Sequence, residues 1–221
     1  MEAVLKVGGS LAEEPTSLVS LCRLLSVLAK AHRIVVVPGG GEFADTVRRH
    51  DRTYGFSKRV AHQMAILAMD QYGLLLSDFS PDSYVSYNQE EISSSVRGIL
   101  PIFLPSKHMF HEDPLEHSWD VTSDTIAAHI ASVLHAEKLI LVTNVDGIFS
   151  KDPKQNWDAT FIEELSAKEL FGSNMRTSVD KTLPKMLLQT KLDCYVVNGR
   201  QPERIGQLLE NRKTVCTHIT V

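Results

Sequence analysis

Val4-Leu5-Lys6-Val7-Gly8-Gly9-Ser10 reads as a short apolar strand that carries one lysine and breaks at a glycine pair. Such a start sets a fixed positive charge beside bare backbone N–H groups at the edge of a sheet, and phosphate suits that arrangement. Gly-Gly-Ser is also a common turn, so two later stretches matter. Val35-Val36-Val37-Pro38-Gly39-Gly40-Gly41 is a second glycine run behind a strand. Leu141-Val142-Thr143-Asn144-Val145-Asp146-Gly147-Ile148-Phe149 is a third strand, ending in an Asp-Gly loop.

Outward from these three points, strand-like and helix-like segments alternate. Residues 3–7, 34–37, 99–104, 139–143, 195–197 and 217–221 read as strands. Pro101 and Pro105 mark the stretch 99–104 as short or at an edge. Leu18, Leu21, Cys22, Leu25, Leu28 and Ala29 recur at helical spacing. Residues 42–50, 58–72, 123–135, 166–171, 185–191 and 201–210 also read as helices, with Ser123 as a cap. The alternation predicts an α/β fold with a mostly parallel sheet and helices on both faces. Right-handed crossovers then put the loops after Val7, Val37 and Thr143 on one edge, where open α/β sheets bind ligands. A seam, if there is one, falls within residues 145–158.

Bulk properties narrow the class. The 221 residues are 43% hydrophobic and 23% charged, enough for one large domain with its own core. A net charge of −4 argues against a nucleic-acid binder but not against small phosphorylated ligands. Cys22, Cys194 and Cys216 are odd in number and far apart, as expected of reduced thiols in a cytoplasmic protein. Lys6 and the glycine pair interrupt the first apolar stretch, so no cleavable signal is expected. No apolar run is long enough to cross a membrane.

Several polar groups have both a plain and a chemical reading. Lys6 can carry its ammonium to the surface or hold an anion with the Gly8-Gly9-Ser10 amides. Gly39-Gly40-Gly41 is costly in entropy as a mere turn and suits close approach of a ligand to the backbone. It fits neither the Walker loop nor the dinucleotide glycine spacing. Asp120, Thr122, Ser123, Asp124 and Thr125 crowd a helix start where one cap would suffice. Lys151-Asp152-Pro153-Lys154 and Lys185 read as surface charge on their own. His108, His111 and His117 lie with Glu112, Asp113 and Glu116 in one stretch whose spacing matches no compact metal site. His62 and Met64 read as packing residues.

As a set, five stretches resemble the amino acid kinase superfamily: Lys6-Val7-Gly8-Gly9-Ser10, Pro38-Gly39-Gly40-Gly41, Ser123-Asp124-Thr125-Ile126-Ala127-Ala128, Thr143-Asn144-Val145-Asp146-Gly147-Ile148-Phe149 and Lys151-Asp152-Pro153. The resemblance covers nearly the whole chain. It implies a three-layer αβα sandwich over residues 1–221, with an acceptor-binding part at about 1–142 and a nucleotide-binding part at about 143–221. It implies phosphoryl transfer from ATP with Mg²⁺, no membrane or nucleic-acid partner, and a homo-oligomer. In that family's scheme Lys6 and Lys185 neutralise charge on the transferred group, and Asp124 orients both. Gly8, Gly9 and Ser10 hold phosphates. Thr143, Asn144, Asp146, Gly147, Phe149, Lys151, Asp152 and Pro153 flank the nucleotide. Gly39, Gly40, Gly41, Arg48, Arg59, Asp120 and Thr122 face the acceptor. No protein ligand for a metal is implied. Val179-Asp180-Lys181-Thr182-Leu183-Pro184-Lys185 departs from the family's Gly-Gly-Met-x-x-Lys, which leaves Lys181 as the alternative to Lys185.

That departure, the His62–Gln71 helix and His117-Ser118-Trp119-Asp120 resemble one subgroup, kinases of methanofuran biosynthesis. Their acceptor, an aminomethylfuran-methanol phosphate, already bears a phosphate. Arg48, Arg49, Arg52, Lys58 and Arg59 offer cations for it, or form a solvated helix face. Asp70, Trp119 or Asp120 are candidates for its ammonium. UMP or an amino acid carboxylate are other acceptors. Isopentenyl phosphate is disfavoured, since residues 41–47 hold no histidine. A non-catalytic nucleotide-storage protein of the same fold is the alternative from another class.

Overall fold

The computed structural model describes residues 1–153, 155–172 and 178–221; Lys154, read above with its charged neighbours, lies outside them. Ten strands are present among these residues: β1 (Ala3–Val7), β2 (Ile34–Pro38), β3 (Ser83–Ser86), β4 (Leu100–Phe103), β5 (Lys138–Thr143), β6 (Ile148–Phe149), β7 (Phe161–Ile162), β8 (Glu164–Ser166), β9 (Asp193–Asn198) and β10 (Thr217–Thr220). Eight form one sheet in the order β3-β4-β2-β1-β5-β9-β10-β8, and β6 pairs with β7 as a separate ribbon. From β3 to β9 every pairing is parallel; β10 runs antiparallel to β9 and carries β8 parallel to itself.

Among the described residues nine α-helices cover the sheet: α1 (Pro15–Ala31), α2 (Gly41–Tyr54), α3 (Lys58–Phe79), α4 (Gln89–Ser93), α5 (Ser106–Glu112), α6 (Ser123–Val133), α7 (Ala167–Gly172), α8 (Leu183–Thr190) and α9 (Glu203–Leu209). Alternate residues of the central strands feed two cores. Val4, Val35, Val37 and Leu141 pack with Ile126, Ile130 and Leu187 of α6 and α8. Leu5, Val7, Val36 and Val142 pack with Leu21, Leu25 and Ile205 of α1 and α9. This is the expected three-layer arrangement. A central parallel strand buried on both faces should be apolar throughout. In β1 only Lys6 is not fully buried, which makes it the anomaly of the sheet.

The strand 99–104 is the short one of its two readings: β4 has four residues and lies inside the sheet between β3 and β2. Its neighbour β3, polar in sequence, is at one edge, and Pro101 lies opposite Tyr84 there. Two expectations are corrected. Thr122, not Ser123, caps α6, accepting from the Asp124 amide at 3.3 Å. Helix α3 runs past residue 72 to Phe79 through Gly73, where a Cβ would stand 2.3 Å from Leu104 Cδ2.

Candidate active site

The ends of β1, β2 and β5 meet on one edge. The Gly8 amide donates to Val142 O and the Gly39 amide to Val7 O, each at 2.8 Å. Here the first two glycine runs touch through backbone alone. A Cβ on Gly9 would lie 2.1 Å from Gly41 Cα, and one on Gly39 would lie 2.8 Å from the Gly9 nitrogen. Gly41 has φ +53°, a conformation that glycine adopts without strain. It opens α2, whose N-terminus has no side-chain cap, and the 3-10 turn Gly9–Glu13 has none either. Uncapped amides and the dipole of α2 favour an anion at this rim.

Lys6 does not carry its charge to solvent. Its Nζ lies 2.7 Å from Asp124 Oδ1, with side chains 13% and 8% exposed. A Cβ on Gly8 would stand 3.6 Å from that Nζ, so the ammonium lies beside the glycine turn. The other Asp124 oxygen accepts the Asp180 amide at 3.2 Å. Burial pushes the Asp124 carboxyl up; the Lys6 ammonium pulls it down, and the Asp180 charge pushes it up again.

Asp180 is the organising residue that the sequence reading passed over. Its Oδ2 accepts from the Thr122 amide (2.9 Å), the Thr122 hydroxyl (2.9 Å) and the Thr125 amide (3.0 Å). Its Oδ1 accepts from the Thr125 hydroxyl (2.7 Å), the Thr182 amide (3.0 Å) and the Leu183 amide (2.7 Å). One carboxylate thus satisfies the starts of α6 and α8 together. An aspartate three residues before a Leu-Pro helix start was the available signal.

Two cavities open beside this cluster. One, of about 230 Å³, lies between α2, α3 and the start of α6 and includes Gly9, Ser10, Gly40, Gly41, Arg48 and Thr122. The other, of about 470 Å³, is lined by Ser10, Thr143, Asn144, Gly147, Phe149, Lys151, Asp152 and Pro153, with Val145 and Ser178. Ser10 belongs to both. The loop at the second cavity is anchored from β10: the Thr217 hydroxyl accepts the Ile148 amide at 2.7 Å and donates to Ile162 O at 2.6 Å.

Other expected site residues stand elsewhere. Asp146 turns away from the second cavity to Arg204 (2.5 Å) and Asn198 (3.0 Å). Burial alone would raise its carboxyl; these two partners bring it below the usual range. Asp120 pairs with Lys181 at 3.0 Å on the surface, and Arg59 is exposed; neither lines either cavity. Lys185 is exposed in the first turn of α8 and makes no ion pair among the described residues. Asp70 is buried against the start of α5, accepting the Ser106 amide at 3.3 Å. Cavity residues not anticipated include Asp45, His62 and Met69.

The histidine stretch separates into pairs. His108 lies 3.2 Å from His129, His111 contacts Glu112, and His117 contacts Asp113 at 2.7 Å while its ring lies 5.0 Å from that of His62. Among the described residues no three His, Cys, Asp or Glu side chains gather as metal ligands, and no helix is long and apolar enough to cross a membrane.

Comparison with known proteins sets this geometry among relatives. Residues 1–198 match the Amino acid kinase family. The chain is 35% identical, over 98% of its length and 96% of the relative's, to [5-(aminomethyl)furan-3-yl]methyl phosphate kinase of Methanocaldococcus jannaschii. It is 26% identical to a uridylate kinase of Methanococcoides burtonii, over 95% of this chain and 91% of that one. The crystal structure of uridylate kinase from Archaeoglobus fulgidus superposes with a TM-score of 0.77 at 25% identity, covering both chains in full (100%).

Proposed function

We infer the function from one premise: the chain belongs to the amino acid kinase family and is a phosphotransferase. We propose that it moves the γ-phosphoryl group of ATP onto (5-aminomethyl-3-furyl)methyl phosphate, giving the diphosphate. The observation that carries the reading is that Ser10 lines both cavities, directly after the glycine turn beside the Lys6–Asp124 pair. A donor in the larger cavity and a small acceptor in the other would then meet at Ser10. The furan acceptor is supported by the 35% identity to the kinase of that name.

In this scheme Thr143, Asn144, Gly147, Phe149, Lys151, Asp152 and Pro153 flank the nucleotide, and Gly40, Gly41, Thr122 and Arg48 face the acceptor. An acceptor phosphate oxygen attacks the γ-phosphorus, the bond from that phosphorus to the β–γ bridging oxygen breaks, and ADP leaves. Such transfer needs alignment and neutralised charge more than a covalent nucleophile. Lys6, fixed by Asp124 in a poorly solvated place, supplies a positive charge that need not reorganise. Lys185 is the better second cation, since Lys181 is engaged by Asp120. Mg²⁺, when bound with the triphosphate, supplies further neutralisation there.

The test is ADP formation by the purified protein with ATP and Mg²⁺ against the furan phosphate, UMP and acetylglutamate. Turnover of the furan phosphate alone, lost in Lys6→Ala, supports the reading. Preferred turnover of UMP removes the furan assignment and keeps the kinase. ATP binding without turnover of any acceptor favours the storage alternative.

A further inference from the structure

We propose that Asp45 is the residue that recognises the acceptor's ammonium group, so that the Asp45–Arg48 pair on α2 makes this kinase selective for an acceptor carrying a cation at the end remote from its phosphate. The inference rests on the reading of the smaller cavity as the acceptor site.

The argument starts from helix spacing. Gly41, Asp45 and Arg48 fall at i, i+4 and i+7, so they share the face of α2 that lines the cavity. At 1.5 Å per residue, Asp45 stands about 6 Å along the axis from Gly41 and Arg48 about 10 Å. The phosphate must sit at the Gly41 end, because there the two glycine runs and Ser10 meet. A small ring bearing two one-carbon arms places its second arm about one to two helical turns away.

What waits at that distance is acidic and ring-binding. Asp45 is the one carboxylate lining the cavity among the described residues. One of its oxygens holds Arg48 at 2.5 Å, which leaves the other as an acceptor for an ammonium. The Arg48 guanidinium lies 4.7 Å from the Trp119 ring centre, and the Trp119 indole N–H donates to Asp51 at 2.7 Å. The platform is therefore braced from two sides. His62, on the same wall, is disfavoured as a cation: burial lowers its pKa, as does His117, against a smaller opposite pull from Asp113. The two acids first considered for the ammonium do not line the cavity: Asp120 pairs with Lys181 on the surface and Asp70 accepts from Ser106.

The experiment compares kcat/KM for the furan phosphate and for the same molecule lacking its aminomethyl arm, in the wild-type protein and in Asp45→Asn and Asp45→Glu. A charged hydrogen bond predicts that the wild type favours the amine by roughly 10- to 100-fold. The preference collapses towards one in Asp45→Asn and persists in part in Asp45→Glu. Asp45→Ser replaces Asp45→Asn if the latter folds poorly. A wild-type enzyme that uses both acceptors equally overturns the inference and leaves the kinase reading intact, as does an Asp45→Asn enzyme that keeps the full preference. A wild-type enzyme that uses neither acceptor but phosphorylates another overturns the furan reading and this inference together.

Discussion

Gly9 has no room for a methyl group, because its Cβ would fall 2.1 Å from Gly41 Cα. Gly9→Ala must push two glycine loops apart at the place where both cavities meet. The expected cost is about 1–3 kcal/mol in a thermal melt, with a steeper loss of ADP formation. Lys6 has a different signature. Lys6→Met is expected to lower kcat by about 10²- to 10³-fold in steady-state assays, and to leave Asp124 buried without its cation. A buried charge stripped of its partner destabilises a fold by about 3–5 kcal/mol. Without Lys6, Asp124 escapes part of that by taking up a proton, since burial pushes its carboxyl up and the ammonium that pulled it down is gone. The folded protein then holds a proton that the unfolded chain releases, so the variant weakens as pH rises. A Lys6→Met/Asp124→Asn double variant should therefore melt above Lys6→Met at neutral pH.

Helix starts decide how the site is assembled. Asp180 serves α6 and α8 at once, and each lost cap costs about 1 kcal/mol. Asp180→Ala should lower stability by about 2–4 kcal/mol, with Asp180→Asn retaining part of it, as read by denaturant unfolding. Activity should fall further, because Thr122 and Asp124 move with α6. The long, buried elements were legible from sequence: β2 is an unbroken apolar run, β1 is one but for Lys6, and α1 repeats leucines at helical spacing. The glycine loops were legible as places of close backbone approach, and the approach seen is of one loop to the other, Gly9 against Gly41. The edge strand β3 escaped notice because Ser-Tyr-Val-Ser has no apolar period. For β4 the prolines left two readings open, short or at an edge, and only the unseen β3 beside it decides for short. Asp45 and Asp180 were hidden for another reason: a carboxylate on a polar helix face or in a loop acquires meaning only from what the fold sets beside it.

Across the whole molecule, the two cores stabilise the sheet from both faces, while paired histidines tie α5 to α6. Burial and the neighbouring His108 lower the pKa of His129 to about 4, against a smaller pull from Glu112. Its folded pKa lies below its ordinary value near 6.5, so the unfolded chain takes up the proton first. The stability it contributes is present above pH 6.5 and is lost as pH falls towards about 4. A scan of melting temperature against pH should show that decline, and His129→Leu should flatten it. A second loss follows at lower pH. Burial alone would raise the Glu2 carboxyl, but Arg97, His32 and the Arg33 amide bring it down to about 2 from 4.5. Its contribution disappears between those values, and Glu2→Gln should remove that part of the curve.

The Thr217 hydroxyl, which ties the Ile148 amide to Ile162 O, sits on a strand some seventy residues downstream of the loop it secures. During synthesis the smaller cavity, lined from β1 to the start of α6, has its pieces in hand early. The loop after β5 emerges from the ribosome long before its anchor does. A growing chain stalled ahead of residue 217 should therefore present a nearly finished first cavity opposite an untethered loop, open to proteases around Gly147–Phe149 until β10 arrives.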